Sequence, residues 1–274
     1  DEDEAVATIH RALDLGVTSI SGSVDLVRSI DSTGRSTTNL QKAIEPKSPA
    51  AANSPSSDAA IPDLKGRIDI KGLTINYREQ HAGSTAATNQ ASMKDAKGSI
   101  DLATRESGGF ATILLDADFA EGTSSSSTGK LHIDASVKNL TDAKGEARFA
   151  SMTVDKAEVV MTGAPSRLLD ALAEQNGLLA GALGEKADIR INAKGTLPIV
   201  TADVAITAPN TTADIAIQSQ NGRLIATRPG TIKVQSLTFL RDHPSVRDAL
   251  AKAGMVIEPA GWPGLNATIQ TLNL

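Results

Sequence analysis

Apolar and polar residues alternate along most of the chain between residues 63 and 274. Segments 111–119, 131–138 and 187–194 place aliphatic residues at every second position, with Leu114 as an exception. Strict alternation over four to eight residues is typical of a β-strand with one apolar and one hydrated face. Antiparallel sheets tolerate this arrangement, whereas all-parallel sheets are covered on both faces. We therefore predict a mainly β fold, an antiparallel meander that forms an elongated curved sheet or groove, with a few short helices packed on it.

A weak internal repeat supports the same architecture. Segments 187–191, 202–206 and 213–217 share the pattern Ala-Asp-apolar-x-Ile. Pro209 and Asn210 lie between the last two copies, and both residue types are common in turns. Short strands separated by turns at this spacing predict an antiparallel meander, closed as a sandwich or barrel or left as an extended sheet.

The alternation changes phase at Gly72. Ile68 and Ile70 set the apolar parity before it, and Leu73 and Ile75 take the opposite parity after it. A β-bulge or bend at Gly72 would return all four side chains to one face, so we predict such an irregularity there.

The pattern divides the chain into three parts. Residues 1–45 are predicted to form an N-terminal helix over 5–13, preceded by four acidic residues, and then strands. Residues 46–62 contain four prolines among Ala, Ser and Asn with no apolar period, which indicates a linker or loop. Residues 63–274 are predicted to form a repetitive antiparallel β region.

Helices are predicted at two places within that β region. Residues 165–183 carry leucines at spacings of three and four, between Pro165 and Gly184. Glycines inside this segment make two short helices as reasonable an interpretation as one. Residues 244–253 show a second apolar stripe of helical period. We expect both helical insertions to lie against the sheet or to cap its end.

Composition narrows the classes of function. The 274 residues include no cysteine, which excludes disulfides, zinc-thiolate sites and thiol catalysis. The formal net charge of -5 argues against nucleic acid as a partner, because nucleic-acid binders concentrate Lys and Arg. No apolar run is long enough to span a bilayer. The acidic start and the alternating end at residues 267–274 suggest a section of a longer protein, so we expect that a targeting or anchoring segment lies elsewhere.

Catalytic and metal-binding motifs are lacking in the sequence. The four histidines, His10, His81, His132 and His243, do not have the spacing of metal ligands, and we expect them to be surface or packing residues. No nucleophile elbow or dinucleotide fingerprint occurs. We therefore predict a protein that is not an enzyme and that uses no cofactor or metal.

Two polar segments have residues that also occur in phosphate, calcium or catalytic sites. Residues 122–130, GTSSSSTGK, invite comparison with a phosphate-binding loop, but six residues separate the two glycines where four are needed, and Leu131 stands where Ser or Thr is needed. A polar hairpin loop is the better interpretation. Asp116 and Asp118 share one strand face, but they lack the further oxygen ligands of a calcium loop, so we interpret them as solvated surface residues.

The apolar strand faces therefore remain as the candidate site. Aromatic residues make up only 2% of the chain, which is little for the roughly 10 Å core of a closed sandwich. We hypothesise that the strands form a trough open to a flexible apolar guest, although the same residues would form the core of a closed sandwich. The predicted lipid-binding wall consists of Ile113, Leu115, Phe119, Leu131, Ile133, Val137, Ile189, Ile191, Val204, Ile206, Ile215 and Ile217.

Part of the sequence resembles a known family. Residues 64–79, LKGRIDIKGLTINYRE, are followed by a Gly-containing turn and the polar-to-apolar run 93–102, and this arrangement resembles the repeat of AsmA-like proteins. The stretch from 147 to 195 is similar to the strand, helix, strand module of large envelope proteins of the AsmA and TamB kind.

The resemblance implies a bacterial protein anchored in the inner membrane that extends through the periplasm as a β-lined groove. It implies a role in phospholipid movement to the outer membrane, with phospholipid or another acyl-chain lipid as ligand and envelope proteins as possible partners. It brings no catalytic residues. The chain departs from the family in lacking an anchoring helix and a terminal domain, so we expect contact with the inner membrane through a missing anchor.

Two other functions fit the pattern. The first is a structural or adhesive β-repeat spacer with a sealed core and no ligand. The second is a carbohydrate-active β protein that would use Asp116 and Asp118, with Trp262 or Tyr77 as a platform for the sugar.

Overall fold

The computed structural model describes residues 19–32, 35–39, 65–104, 108–122, 127–141, 151–173, 175, 177–220, 223–243, 252 and 263–269. In these ranges the chain forms strands and three short helices. The strands are β1 (Ser19–Ile30), β2 (Ser36–Thr38), β3 (Lys65–His81), β4 (Thr88–Ala103), β5 (Phe110–Glu121), β6 (Gly129–Lys138), β7 (Thr153–Pro165), β8 (Lys186–Thr196), β9 (Ile199–Thr207), β10 (Thr211–Gln220), β11 (Arg223–Ala226), β12 (Gly230–Val234) and β13 (Leu265–Ile269). The helices are α1 (Ser166–Leu172), α2 (Leu178–Leu183) and α3 (Thr238–Asp242).

All thirteen strands belong to one open, curved sheet, and the predicted mainly β fold class is confirmed. The order across the sheet is β13-β12-β10-β9-β8-β7-β6-β5-β4-β3-β1-β2, with β11 paired to β10. From β3 to β10 each strand pairs antiparallel with the next in sequence, as a meander does. The exception to the antiparallel pattern is β1, which pairs in parallel with β3.

The strand register brings apolar residues opposite one another. Ile191 of β8 is paired with Val159 of β7 on one side and with Val204 of β9 on the other. Val204 is paired in turn with Ile215 of β10. Directly paired residues lie on the same face of a sheet, so the alternation within each strand produces one aliphatic face and one polar face.

The irregularity predicted at Gly72 is confirmed. The register between β3 and β4 shifts between Lys71 and Leu73, and Gly72 has a φ of +71°. This backbone conformation is available to glycine at little cost because it has no Cβ. The bulge places Leu73 opposite Ala96 and so returns β3 to the parity of the aliphatic face.

The segment 165–183 forms two helices, α1 and α2, in agreement with one of the two interpretations of its sequence. These helices connect β7 to β8 and cover one end of the aliphatic face. There, Leu168 of α1 is completely buried among residues of six strands. The buried cluster consists of Leu26, Tyr77, Ala91, Met93, Ala96, Ala117, Phe119, Leu131, Ala164, Leu168 and Ala171.

Other predicted elements have different outcomes. The turn at Pro209 and Asn210 is confirmed, since it joins β9 to β10 and the Ala208 N–H donates to the Thr211 carbonyl at 2.8 Å. The helix predicted over 5–13 and the linker over 46–62 lie outside the described residues. The helix predicted over 244–253 also lies outside them, apart from Lys252, which is helical.

Candidate functional site

The twelve residues of the predicted wall lie on a single face of the sheet, which we call the aliphatic face. Leu115 is paired with Ile133, and Ile189 is paired with Ile206. The remaining members follow from the alternation along their own strands. The structure therefore brings together side chains that the sequence distributes over more than a hundred residues.

One row of the aliphatic face crosses the eight strands from β3 to β10. Within these strands it runs from Ile70 on β3 to Ile215 on β10, and Ile20 of β1 is paired with Ile70 beyond them. Gly98, which pairs with both Ile70 and Leu115, is the one position of the row without a side chain. With about 4.8 Å between neighbouring strands, the row is roughly 34 Å long. Its full order is Ile70, Gly98, Leu115, Ile133, Val159, Ile191, Val204 and Ile215.

Exposure divides the twelve wall residues into two groups. Phe119 and Leu131 are 2% and 8% exposed, and they belong to the closed cluster beneath α1. The other ten are half-buried, as is expected for side chains that touch their neighbours in the sheet but keep part of their surface uncovered. Phe119 and Leu131 thus form the closed end of the aliphatic face, and the other ten residues form its open part.

The described helices lie along one end of the strands. Helix α1 packs on β4 and β7. Helix α2 is fixed to the start of β10, because the Thr211 hydroxyl donates to the Ala182 carbonyl at 2.6 Å. Gly181 of α2 lies against Phe239 of α3. The helices therefore cover the strand ends and leave the middle of the aliphatic face half-exposed.

A buried ionic network holds this helical cap in place, and the sequence reasoning missed it. Arg28 Nη1 on β1 donates to Asp170 Oδ2 on α1 at 2.7 Å. Asp170 also accepts the backbone N–H groups of Gly177 at 2.7 Å and Leu179 at 2.8 Å. One carboxylate therefore links the first described strand, α1 and the start of α2.

Tyr77 continues the network on β3. Its hydroxyl donates to Glu79 Oε1 at 2.8 Å, and Glu79 Oε2 accepts from Arg167 Nη1 at 3.0 Å. Burial, with the nearby Glu79 carboxylate, raises the pKa of the Tyr77 hydroxyl far above its usual range. The hydroxyl therefore stays protonated and keeps its role as a donor.

A sequence signal for this network does exist. Arg28 lies two residues after Leu26, and Glu79 lies two residues after Tyr77. Both charged residues therefore stand where the alternation predicts the next apolar residue. The strands pair so that Leu26 is opposite Tyr77 and Arg28 is opposite Glu79. Charged residues at apolar positions near a strand end thus marked the place where the apolar face gives way to polar contacts.

The polar face of the sheet carries exposed contacts between polar and charged side chains. His132 Nδ1 lies 2.7 Å from Asp116 Oδ1, and Lys156 Nζ lies 2.6 Å from Asp134 Oδ2. Within the described ranges, no three His, Cys, Asp or Glu residues are grouped as metal ligands would be. The arrangement is that of a hydrated outer surface.

Several sequence candidates can now be placed. Tyr77 is completely buried, so it is not available as a platform for a sugar. Trp262 and His10 lie outside the described residues. In the segment 122–130, the Thr128 N–H donates to the Phe119 carbonyl at 2.6 Å beside the paired strands β5 and β6, as in the hairpin we predicted.

No protein-family model, curated protein or solved structure matches the sequence. Among the described helices, none has the length and apolar character needed to cross a membrane.

Proposed function

We propose that this chain is a non-enzymatic, lipid-binding section of an AsmA-like periplasmic protein. In this proposal the aliphatic face holds phospholipid acyl chains and guides them between the inner and outer membranes. The observation that carries the proposal is the half-exposed aliphatic row that crosses eight strands of one open sheet.

The chemistry of the row suits a flexible hydrocarbon. Its members are Ile, Val and Leu side chains with one glycine, and none presents a hydrogen-bonding group to a guest. Each methylene that is buried contributes about 0.8 kcal/mol of favourable binding free energy. One acyl chain that lies along part of the row would therefore be held by many such contributions. Because no directional contact is required, chains of different length could bind in many registers.

The setting of the proposal comes from the family resemblance. On that resemblance we propose a periplasmic location, an anchor to the inner membrane in the full-length protein and envelope proteins as possible partners.

The second candidate is a structural or adhesive spacer whose apolar surface is sealed. The closed cluster around Tyr77, Phe119 and Leu168 favours it, because there the aliphatic face is already covered by protein. In that function the remaining aliphatic residues would be covered by further protein and would take no ligand.

Lipid extraction and native mass spectrometry of the purified chain test the choice between them. The lipid-binding function predicts copurifying phospholipid, which is lost after delipidation and restored by incubation with phospholipid vesicles. If the chain purifies without bound lipid and takes up none from vesicles, the spacer function is favoured and the lipid-binding proposal is wrong.

A further inference from the structure

A cavity of about 720 Å³ lies at the helical end of the sheet, outside the aliphatic face. Strands β1, β3, β4 and β5 line one side of it, and described residues of the connection between β7 and β8, including α2, line the other. Its charged lining consists of Arg28, Glu79, His81, Glu121, Arg167 and Glu185.

The cavity adjoins the point where the aliphatic face ends. Glu121 follows Phe119 on β5 at the same parity, and Ile30 follows Arg28 on β1 in the same way. Pro165 and Ala180 add apolar surface to the wall. A lipid whose acyl chain ran along the strands, rather than along the row that crosses them, would bring its headgroup toward this end of the sheet, beside the closed cluster.

Arg167 and His81 line the cavity with exposed side chains that can donate hydrogen bonds. Arg167 is 59% exposed, and to the described residues it donates only through Nη1, to Glu79 and to Gln90. His81 is 63% exposed, with Nε2 at 3.8 Å from Glu79 Oε2. A guanidinium and an imidazole in this position suit a phosphate group.

Carboxylates line both sides of the same cavity. The side chain of Glu185 is exposed, and Glu121 Oε1 lies 3.0 Å from Lys186 Nζ at the surface. Arg28 and Arg167 already face Asp170 and Glu79. The wall therefore has no surplus of positive charge for a purely anionic group, and its exposed carboxylates suit an ammonium.

We propose that this cavity binds a zwitterionic phosphate–ammonium group, with Arg167 and His81 toward the phosphate and Glu121 and Glu185 toward the ammonium. The proposal rests on the proposed lipid-binding function, and it makes the phosphoethanolamine headgroup of a phospholipid the ligand of the cavity. An anionic headgroup such as phosphoglycerol would bring a negative charge without the matching cation.

The first experiment tests the cavity without lipid tails. Glycerophosphoethanolamine is titrated into the ¹⁵N-labelled full chain, and the amide signals of Gly177, Gly181 and Gly184, which line the cavity, are followed. We expect saturable shifts, with affinity about tenfold lower or worse in Arg167→Gln, because a charge-assisted contact is lost. Arg190→Gln, on the polar face of β8, is the matched control and should bind like the wild type. Absent shifts, or equal affinity in Arg167→Gln, would overturn the proposal.

Inorganic phosphate is titrated in parallel to distinguish a headgroup from a free ion. We expect it to bind more weakly than glycerophosphoethanolamine because it has no ammonium for Glu121 and Glu185. Equal affinity for the two would show that the cavity recognises phosphate alone, and the zwitterion proposal would then be wrong.

The second experiment separates this inference from the function on which it rests. The delipidated chain is offered oleate, dioleoyl phosphatidylethanolamine or dioleoyl phosphatidylglycerol, and bound lipid is quantified. We expect oleate to bind wild type and Arg167→Gln equally, and the ethanolamine lipid to be preferred only by the wild type. Oleate binding without a headgroup preference would overturn the inference alone, whereas a failure to bind any of the three would overturn the proposed function.

Discussion

Arg28 and Asp170 form a buried ion pair with a nitrogen-to-oxygen distance of 2.7 Å, although 142 residues separate them. Their side chains are 7% and 0% exposed. Arg28 lies on β1, and Asp170 lies on the helix that follows β7, so the pair ties together regions separated by four intervening strands of the sheet. This contact fixes the helical cap over the closed end of the aliphatic face.

Asp170→Asn is expected to lower the free energy of unfolding by about 3–5 kcal/mol, because it leaves the Arg28 guanidinium buried without its partner charge. Urea denaturation followed by circular dichroism measures the change. The double variant Arg28→Met with Asp170→Asn should be more stable than the sum of the two single changes predicts. Lys156→Met, which removes an exposed pair on the polar face, is the control and should leave the urea midpoint unchanged.

Tyr77 should ionise only well above the ordinary tyrosine pKa of 10.0, because burial disfavours the phenolate. It is the only tyrosine in the chain, so the near-ultraviolet phenolate band reports it directly. Since the pKa is higher in the folded state, its contribution to stability is complete below pH 10.0 and is lost as the pH rises through the folded value. Tyr77→Phe should remove the part of the alkaline loss of stability that comes from the ionisation of Tyr77. Ionisation near pH 10.0 in the native protein would contradict the buried geometry.

Ile191→Asp should abolish lipid copurification, because it places a carboxylate in the middle of the aliphatic row. The fold should survive, since the side chain is only half-buried on an open face. Asn192→Asp introduces the same charge at the next residue on the polar face, and lipid binding should be unchanged. Ile133→Asp should also abolish lipid binding, at a greater cost in stability, because Ile133 packs against the closed cluster. Unfolding of Ile191→Asp would favour the sealed spacer.

Gly72→Ala should destabilise the protein by about 1–2 kcal/mol, because an L-residue with a Cβ is disfavoured at a φ of +71°. Gly66→Ala is the matched control on the same strand. A Cβ at Gly66 would meet no atom within 4 Å, and its φ is not in the left-handed region. Denaturation midpoints compare the two, and an equal effect would mean that the bulge does not depend on glycine.

The meander from β3 to β10 was predictable because its strands each have one hydrated face, and the alternation records that directly. The bulge at Gly72 was predictable for the same reason, since a change of parity must be absorbed somewhere in the strand. The wall residues were predictable as one face, but which of them lie under a helix was not. Phe119 and Leu131 have the same alternation as Ile113 and Ile133, and only the position of α1 separates them.

The helical cap and its ion pair could not be derived from local patterns. The alternation in 15–30 is weak, and nothing in it specifies that β1 pairs in parallel with β3. Arg28 stands at an apolar position of its strand, but nothing in its own segment or in that of Asp170 identifies the two residues as partners. Their pairing depends on the order of the strands across the sheet, which is a property of the whole chain.

The parallel placement of β1 has a consequence for synthesis on the ribosome. Strands β3 to β7 are successive antiparallel neighbours and can pair in the order in which they emerge. Arg28 is made 142 residues before its partner carboxylate. The nascent chain must therefore carry the Arg28 guanidinium without Asp170 while those residues are added, and the cap can close only after β7 has left the exit tunnel.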